Sequence, residues 1–194
     1  MNDSDTFFII LAILILVVIL LSKSGKSVAT KTETVNIDYN SNQGQIFNRF
    51  FPTISEIIFS FSLSVPPELV LAVINQESNL RFKTQKNYQV IGDDGTSLGY
   101  MQVSNNAVKD VNSFYHNNYS FSDLKDERKN LEVGIKYLNI CYNSAVKLNS
   151  PNPIKLALKK YNGGNDETDS SKNSMAEKYS LSAFNYYKIF KGMV

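Results

Sequence analysis

A chain of 194 residues, 43 % of them apolar, is long enough for one ordinary globular domain with segments to spare. Its formal charge of +2, without a clustered basic face, excludes a strong nucleic-acid footprint. One cysteine and one histidine exclude an internal disulfide and offer no metal-ligand spacing, so neither a metal nor a cofactor is expected.

Phe7 to Leu21 is an unbroken apolar run without a charge. As a helix it is ~22 Å long, short of the ~30 Å hydrocarbon layer but within reach if flanking lysines snorkel. Residues 1–22 are therefore expected to form a single-pass transmembrane anchor in a lipid bilayer. A secretory signal peptide is the rival. It wants a basic start, where this chain has Asp3 and Asp5, and Ser27-Val28-Ala29 fits a cleavage site only loosely. Lys23, Lys26 and Lys31 follow the span, which by the positive-inside rule leaves the C-terminal part in the cytoplasm. Residues 23–44 are small and polar with no apolar period, a flexible linker to a globular domain over 45–194.

In that domain Ile46, Phe47, Phe50, Phe51, Ile54, Ile57 and Ile58 recur at helical spacing. Pro66 and Pro67 open a second helix, where a proline in the first turn forfeits no hydrogen bond. Leu69 to Ile74 is apolar on every side, so this helix is expected to be buried all round. It ends in N-Q-E-S, which puts Glu77 at a helix C-terminus, where the dipole disfavours an anion. Burial and the dipole would both raise its pKa. The plainer reading of the same stretch is a helix end emerging into solvent.

Between Arg81 and Val103, short apolar stretches flank G-D-D-G and predict a small β-hairpin lobe. Ser104 is placed to cap a helix through Val108, Val111 and Phe114. Another starts at Asn130 and runs through Ile135, Leu138 and Val146. Pro153 opens a third that stops at Y-N-G-G, and Glu177 to Phe190 closes the domain. The fold class is α+β, predominantly helical. His116 reads as a surface position and Cys141 as a small buried hydrophobe. Glu132, Asp126 and Glu127 read as solvated helix charges.

Four ordered stretches stand out: N-Q-E-S, G-D-D-G-T-S-L-G-Y-M-Q-V, N-L-E-V-G-I-K-Y-L and A-L-K-K-Y-N-G-G. Together they resemble the catalytic domain of lytic transglycosylases of the soluble-transglycosylase group, related to goose-type lysozyme. The resemblance covers about Val65 to Tyr187 and implies a lysozyme-like fold acting on peptidoglycan. It implies that Glu77 is the single catalytic acid/base. It places Ser78, Tyr100, Met101, Gln102, Tyr161, Asn162 and Tyr179 at the substrate, with the Tyr161 hydroxyl near the Glu77 carboxylate; Tyr100 stands where the family usually has leucine. In such enzymes the substrate's own N-acetyl group stands in for a second carboxylate. The glutamate then takes the 6-hydroxyl proton as a 1,6-anhydro ring closes. Asp93 or Asp94 would serve as a second carboxylate in a goose-type hydrolase, although Gly-Asp-Asp-Gly is also simply a good turn. A non-catalytic, glycan-holding component of a membrane or virion is the alternative from another class. The expected locations are the bacterial envelope, with a secretion apparatus, or the membrane of a lipid-containing phage virion.

Overall fold

The computed structural model describes residue 38 and residues 40–78, 80–92, 95–163 and 170–194. Residues 1–22, including the expected anchor, lie outside the described residues, as do Asp93 and Asp94. Among the described residues no helix is long and apolar enough to cross a membrane. There are six α-helices among them, α1 (Asn42–Ser60), α2 (Pro67–Ser78), α3 (Asn105–Tyr115), α4 (Glu127–Lys147), α5 (Pro153–Gly163) and α6 (Ser170–Lys191). Two short strands, β1 (Ser97–Leu98) and β2 (Val103–Ser104), pair antiparallel with Leu98 opposite Val103.

The helix α1 begins inside the expected linker, because the Ser41 hydroxyl accepts from the Gly44 N–H and caps it. Ile46, Phe50, Ile54 and Ile57 form its buried stripe, and the helix runs through Pro52 at the loss of one internal donor. The predicted all-round burial of α2 is observed, with every residue from Leu69 to Asn75 buried. It lies between α1 and α6, while α4 contacts α1, α3 and α5.

The long helix α4 starts at Glu127, three residues before the expected Asn130, because the Asp126 carboxylate accepts from the Lys129 N–H. Asn130 is thus inside the helix and fully buried. Glu132 is not a solvated charge either. It accepts from the ammonium of Lys136, itself 1 % exposed, at 2.8 Å, and from the Tyr119 hydroxyl. Likewise α6 starts at Ser170, ahead of the expected Glu177, because its polar opening hid the apolar period.

The β lobe differs from the expectation in register. The paired strands flank Gly99–Gln102, and Ile91 joins them by a single bridge to Leu98. This turn needs Gly99, whose φ is +82° and whose Cβ, if present, would sit 2.3 Å from the Asn130 side chain. Asn130 holds the turn from α4. Its Nδ2 donates to the Leu98 carbonyl at 2.8 Å and its Oδ1 accepts from the Met101 N–H at 3.3 Å. Gly134, one helical turn on, leaves the space that Met101 fills. From the other side, the Asn87 Oδ1 accepts from the Tyr100 N–H. The lobe is therefore pinned to the helical core by buried amides rather than by a long sheet.

Candidate active site

A cleft of about 660 Å³ runs between the β lobe and the helices, lined by Glu77, Gln102, Tyr137, Tyr161, Asn162 and shorter polar side chains such as Ser97 and Ser104. Glu77 is half-buried at the end of α2. Desolvation pushes its carboxyl up to about 7, against the opposing pull of the Tyr179 hydroxyl and the Arg81 guanidinium. Among the described lining residues it is the only carboxylate.

Arg81 was not singled out in the sequence, and it supplies what the helix end lacked. Its Nη2 donates to the Glu77 carbonyl at 2.9 Å, its Nε to the Ser78 carbonyl at 3.1 Å and its Nη1 to the Ile91 carbonyl at 3.3 Å. A cation thus sits on the negative end of the helix dipole and ties that end to the β lobe.

Gln102 has a left-handed backbone, φ 46°, uncommon outside glycine. Its side chain holds it there. Nε2 donates to the Val90 and Gly99 carbonyls at 3.0 and 2.7 Å, and Oε1 accepts from the Ser97 hydroxyl at 3.0 Å. Strain kept in place by so many contacts is characteristic of functional walls. The Tyr161 hydroxyl does not bond to Glu77. It donates to the Met101 carbonyl at 2.8 Å, joining α5 to the turn, and burial beside the Glu77 carboxylate keeps it protonated. Its ring packs against Tyr137 at 5.4 Å, and Asn162 is exposed at the rim.

Three of the remaining expected contacts, Ser78, Tyr100 and Met101, fall elsewhere, whereas Tyr179 sits beside Glu77. Ser78 is fully buried with its hydroxyl unpartnered, so it faces the interior and not a sugar. Tyr100 and Met101 are core residues at 1 % and 0 % exposure. Tyr100 packs edge-on to Phe50 and donates to the Gln85 carbonyl, so the aromatic at the usual leucine position fills a hole beneath the lobe. Tyr179 is half-buried on α6; its hydroxyl, shut off from solvent, influences the Glu77 carboxyl without a hydrogen bond of standard geometry.

A cleft whose described lining holds one acid protonatable at neutral pH, a braced glutamine and a Tyr-Asn pair is suited to glycosidic chemistry. The profile of one known family, described as the Transglycosylase SLT domain, matches residues 61–182, well over half of the chain. The chain belongs to that family. It is a glycan-cleaving transglycosylase domain of lysozyme-like, predominantly helical fold, and its substrate class is peptidoglycan. No curated protein matches the chain. The matched span of the SLT domain takes in Glu77, Gln102, Tyr161, Asn162 and Tyr179, and also Arg81 and Asn130, which sequence reasoning left without a role. Asn130 and Gly134 stood in plain view in the N-L-E-V-G-I-K stretch; the signal that would have found them is an amide and a glycine one turn apart on a buried helix face.

Proposed function

We propose that this SLT domain is a lytic transglycosylase that cleaves the β-1,4 bond between N-acetylmuramic acid and N-acetylglucosamine, with Glu77 as its only acid/base. The observation that carries this is the Glu77 carboxyl, pushed up to about 7 on the wall of a cleft shared with Gln102, Tyr161 and Asn162. At neutral pH a large share of such carboxyls hold a proton, which Glu77 gives to the leaving oxygen as the bond breaks. The N-acetyl group of the muramic unit stabilises the cationic centre. The resulting Glu77 carboxylate then takes the proton of the 6-hydroxyl as its oxygen closes the 1,6-anhydro ring. The acid is regenerated and no water is consumed.

In a zymogram against cell-wall glycan, the purified domain should clear the gel and Glu77→Gln should not. Undiminished clearing by the variant would remove the proposed role, and a wild type that never clears would favour a glycan-holding component. Product mass distinguishes the lyase from a hydrolase. The hydrolase reading has one supporting observation: Gly92, which directly precedes Asp93 and Asp94, lines the cleft. Anhydro termini support the lyase; reducing N-acetylmuramic acid termini alone support the hydrolase.

The apolar run Phe7–Leu21 supports attachment to a bilayer, and hence a local wall-opening role at an envelope or in a lipid-containing virion. A cytoplasm-facing domain suits a virion enzyme that meets the wall on entry, and a periplasm-facing one suits a secretion apparatus. Protease accessibility of a tag at Val194 in spheroplasts separates these.

A further inference from the structure

A second hollow of about 520 Å³ opens between α3 and α4, and Tyr137 lines both it and the Glu77 cleft. Asp110, Ser113 and Phe114 form its α3 wall, at the i, i+3, i+4 spacing that puts them on one helix face. Phe114 is 56 % exposed, with its ring held edge-on by Tyr115 at 4.9 Å. The α4 side supplies an apolar floor of Ile140 and Cys141, with Ser144 beyond. Burial pushes the Cys141 thiol up to about 12, so that floor is uncharged. An open aromatic face ringed by a carboxylate and hydroxyls matches the two sides of a pyranose, whose C–H face stacks and whose hydroxyls donate.

We propose that this hollow is a sugar subsite continuing the cleft past Tyr137, which takes an N-acetylglucosamine unit of the same glycan strand. This rests on the glycan-cleaving reading above and extends it. The acetamido methyl fits the Ile140–Cys141 floor, the ring stacks on Phe114, and Asp110 accepts from sugar hydroxyls. The stem peptides of peptidoglycan are a poorer fit. They carry carboxylates, and among the described lining residues the one charge is the acidic Asp110, with Lys160 acting on the Cys141 floor from outside that lining.

The test compares Phe114→Ala and Asp110→Asn with the parent on peptide-free tetrasaccharide and octasaccharide strands, and on peptide-bearing strands. For each variant the octasaccharide-to-tetrasaccharide ratio of kcat/KM should fall about tenfold through KM, the order expected of one aromatic stack. An unchanged ratio overturns the subsite. A loss confined to peptide-bearing strands makes the stem the occupant and overturns it too. A readout independent of turnover is NMR titration of the Glu77→Gln protein with an N-acetylglucosamine tetramer. Shifts at the Phe114 ring and Ile140 methyls support the subsite; shifts confined to Tyr137 and Tyr161 refute it. Continued cleavage by Glu77→Gln would sink the catalytic reading while leaving these shifts to be judged separately.

Discussion

The Arg81 guanidinium grips the backbone of Glu77, donating from Nη2 to its carbonyl at 2.9 Å, while its charge holds down the pKa of the same residue's side chain. Burial does most to raise the pKa of the proposed catalyst, and this one cation both fixes the catalyst's position and works against that rise. Arg81→Gln removes the charge, so the Glu77 pKa should rise further above about 7. An acid must be protonated to act, so the alkaline limb of the kcat profile should move to higher pH, by roughly half to one unit. Arg81→Lys keeps the charge and loses the three-way fork, and should restore the limb without restoring KM. A limb that stays in place in Arg81→Gln would show that the cation acts on the backbone alone.

Glu77→Gln should lower turnover by roughly 10²–10⁴-fold, the usual worth of general acid–base help. It should also stabilise the fold at alkaline pH. The Glu77 pKa is raised from 4.5 unfolded to about 7 folded, so between those values the native state holds a proton that the unfolded chain has released. Stability therefore falls as pH rises through that window, and the full penalty stands above it. Removing the charge should add up to about 3 kcal/mol at pH 8 and close to nothing at pH 4. Urea unfolding at the two pH values measures this, and equal gains at both would contradict it.

What the sequence disclosed follows from how local each signal is. Burial of α2 was legible because a run of six apolar residues leaves no polar face, and Glu77 because it broke that run at a charged end. The Ser104 cap on α3 was legible because capping is decided within three residues, and its hydroxyl accepts from the Ala107 N–H as expected. Asn130 and Asn87 were not legible. Each braces the lobe through partners more than ten positions away in the chain, and an asparagine on a helix face carries no mark of that. The resemblance places Tyr100 and Met101 at the substrate because they share one Gly-Tyr-Met-Gln segment with Gln102. Yet the left-handed backbone at Gln102 turns its own side chain to the cleft while its neighbours face the core.

Gly99→Ala forces a side chain onto a backbone at φ +82° and drives its Cβ into a buried amide that is itself hydrogen-bonded. The expected loss is at least about 2 kcal/mol in urea unfolding. Asn130→Ala alone should cost about 1–3 kcal/mol by orphaning the Leu98 carbonyl and the Met101 N–H. Because the second change clears the space that the first one needs, the double variant should lose less than the sum. Strict additivity would mean that the close approach of Gly99 to Asn130 does not matter.

Tyr161→Phe removes the bond to the Met101 carbonyl and leaves that acceptor buried, at a cost of about 1–2 kcal/mol. Because this hydroxyl is committed to the turn and not to Glu77, the pH limbs of kcat should keep their positions while the thermal midpoint drops. A displaced limb would place the hydroxyl on the carboxyl during turnover.

Tyr100→Leu restores the residue usual in related domains and decides between the two readings of this position. If Tyr100 touched the glycan, the change would raise KM. Its ring lies edge-on to both Phe50 and Phe82 under the Arg49 guanidinium, and its hydroxyl donates to the Gln85 carbonyl at 2.8 Å. A leucine fills less of that space and orphans the carbonyl, so the expected effect is a loss of about 2–4 kcal/mol in stability. KM, measured well below the melting midpoint, should stay within twofold, a margin narrower than the loss of one hydrogen bond to substrate would produce. Adding Phe50→Ala to Tyr100→Leu should then cost less than the two single changes together, since each already loosens the same aromatic contact.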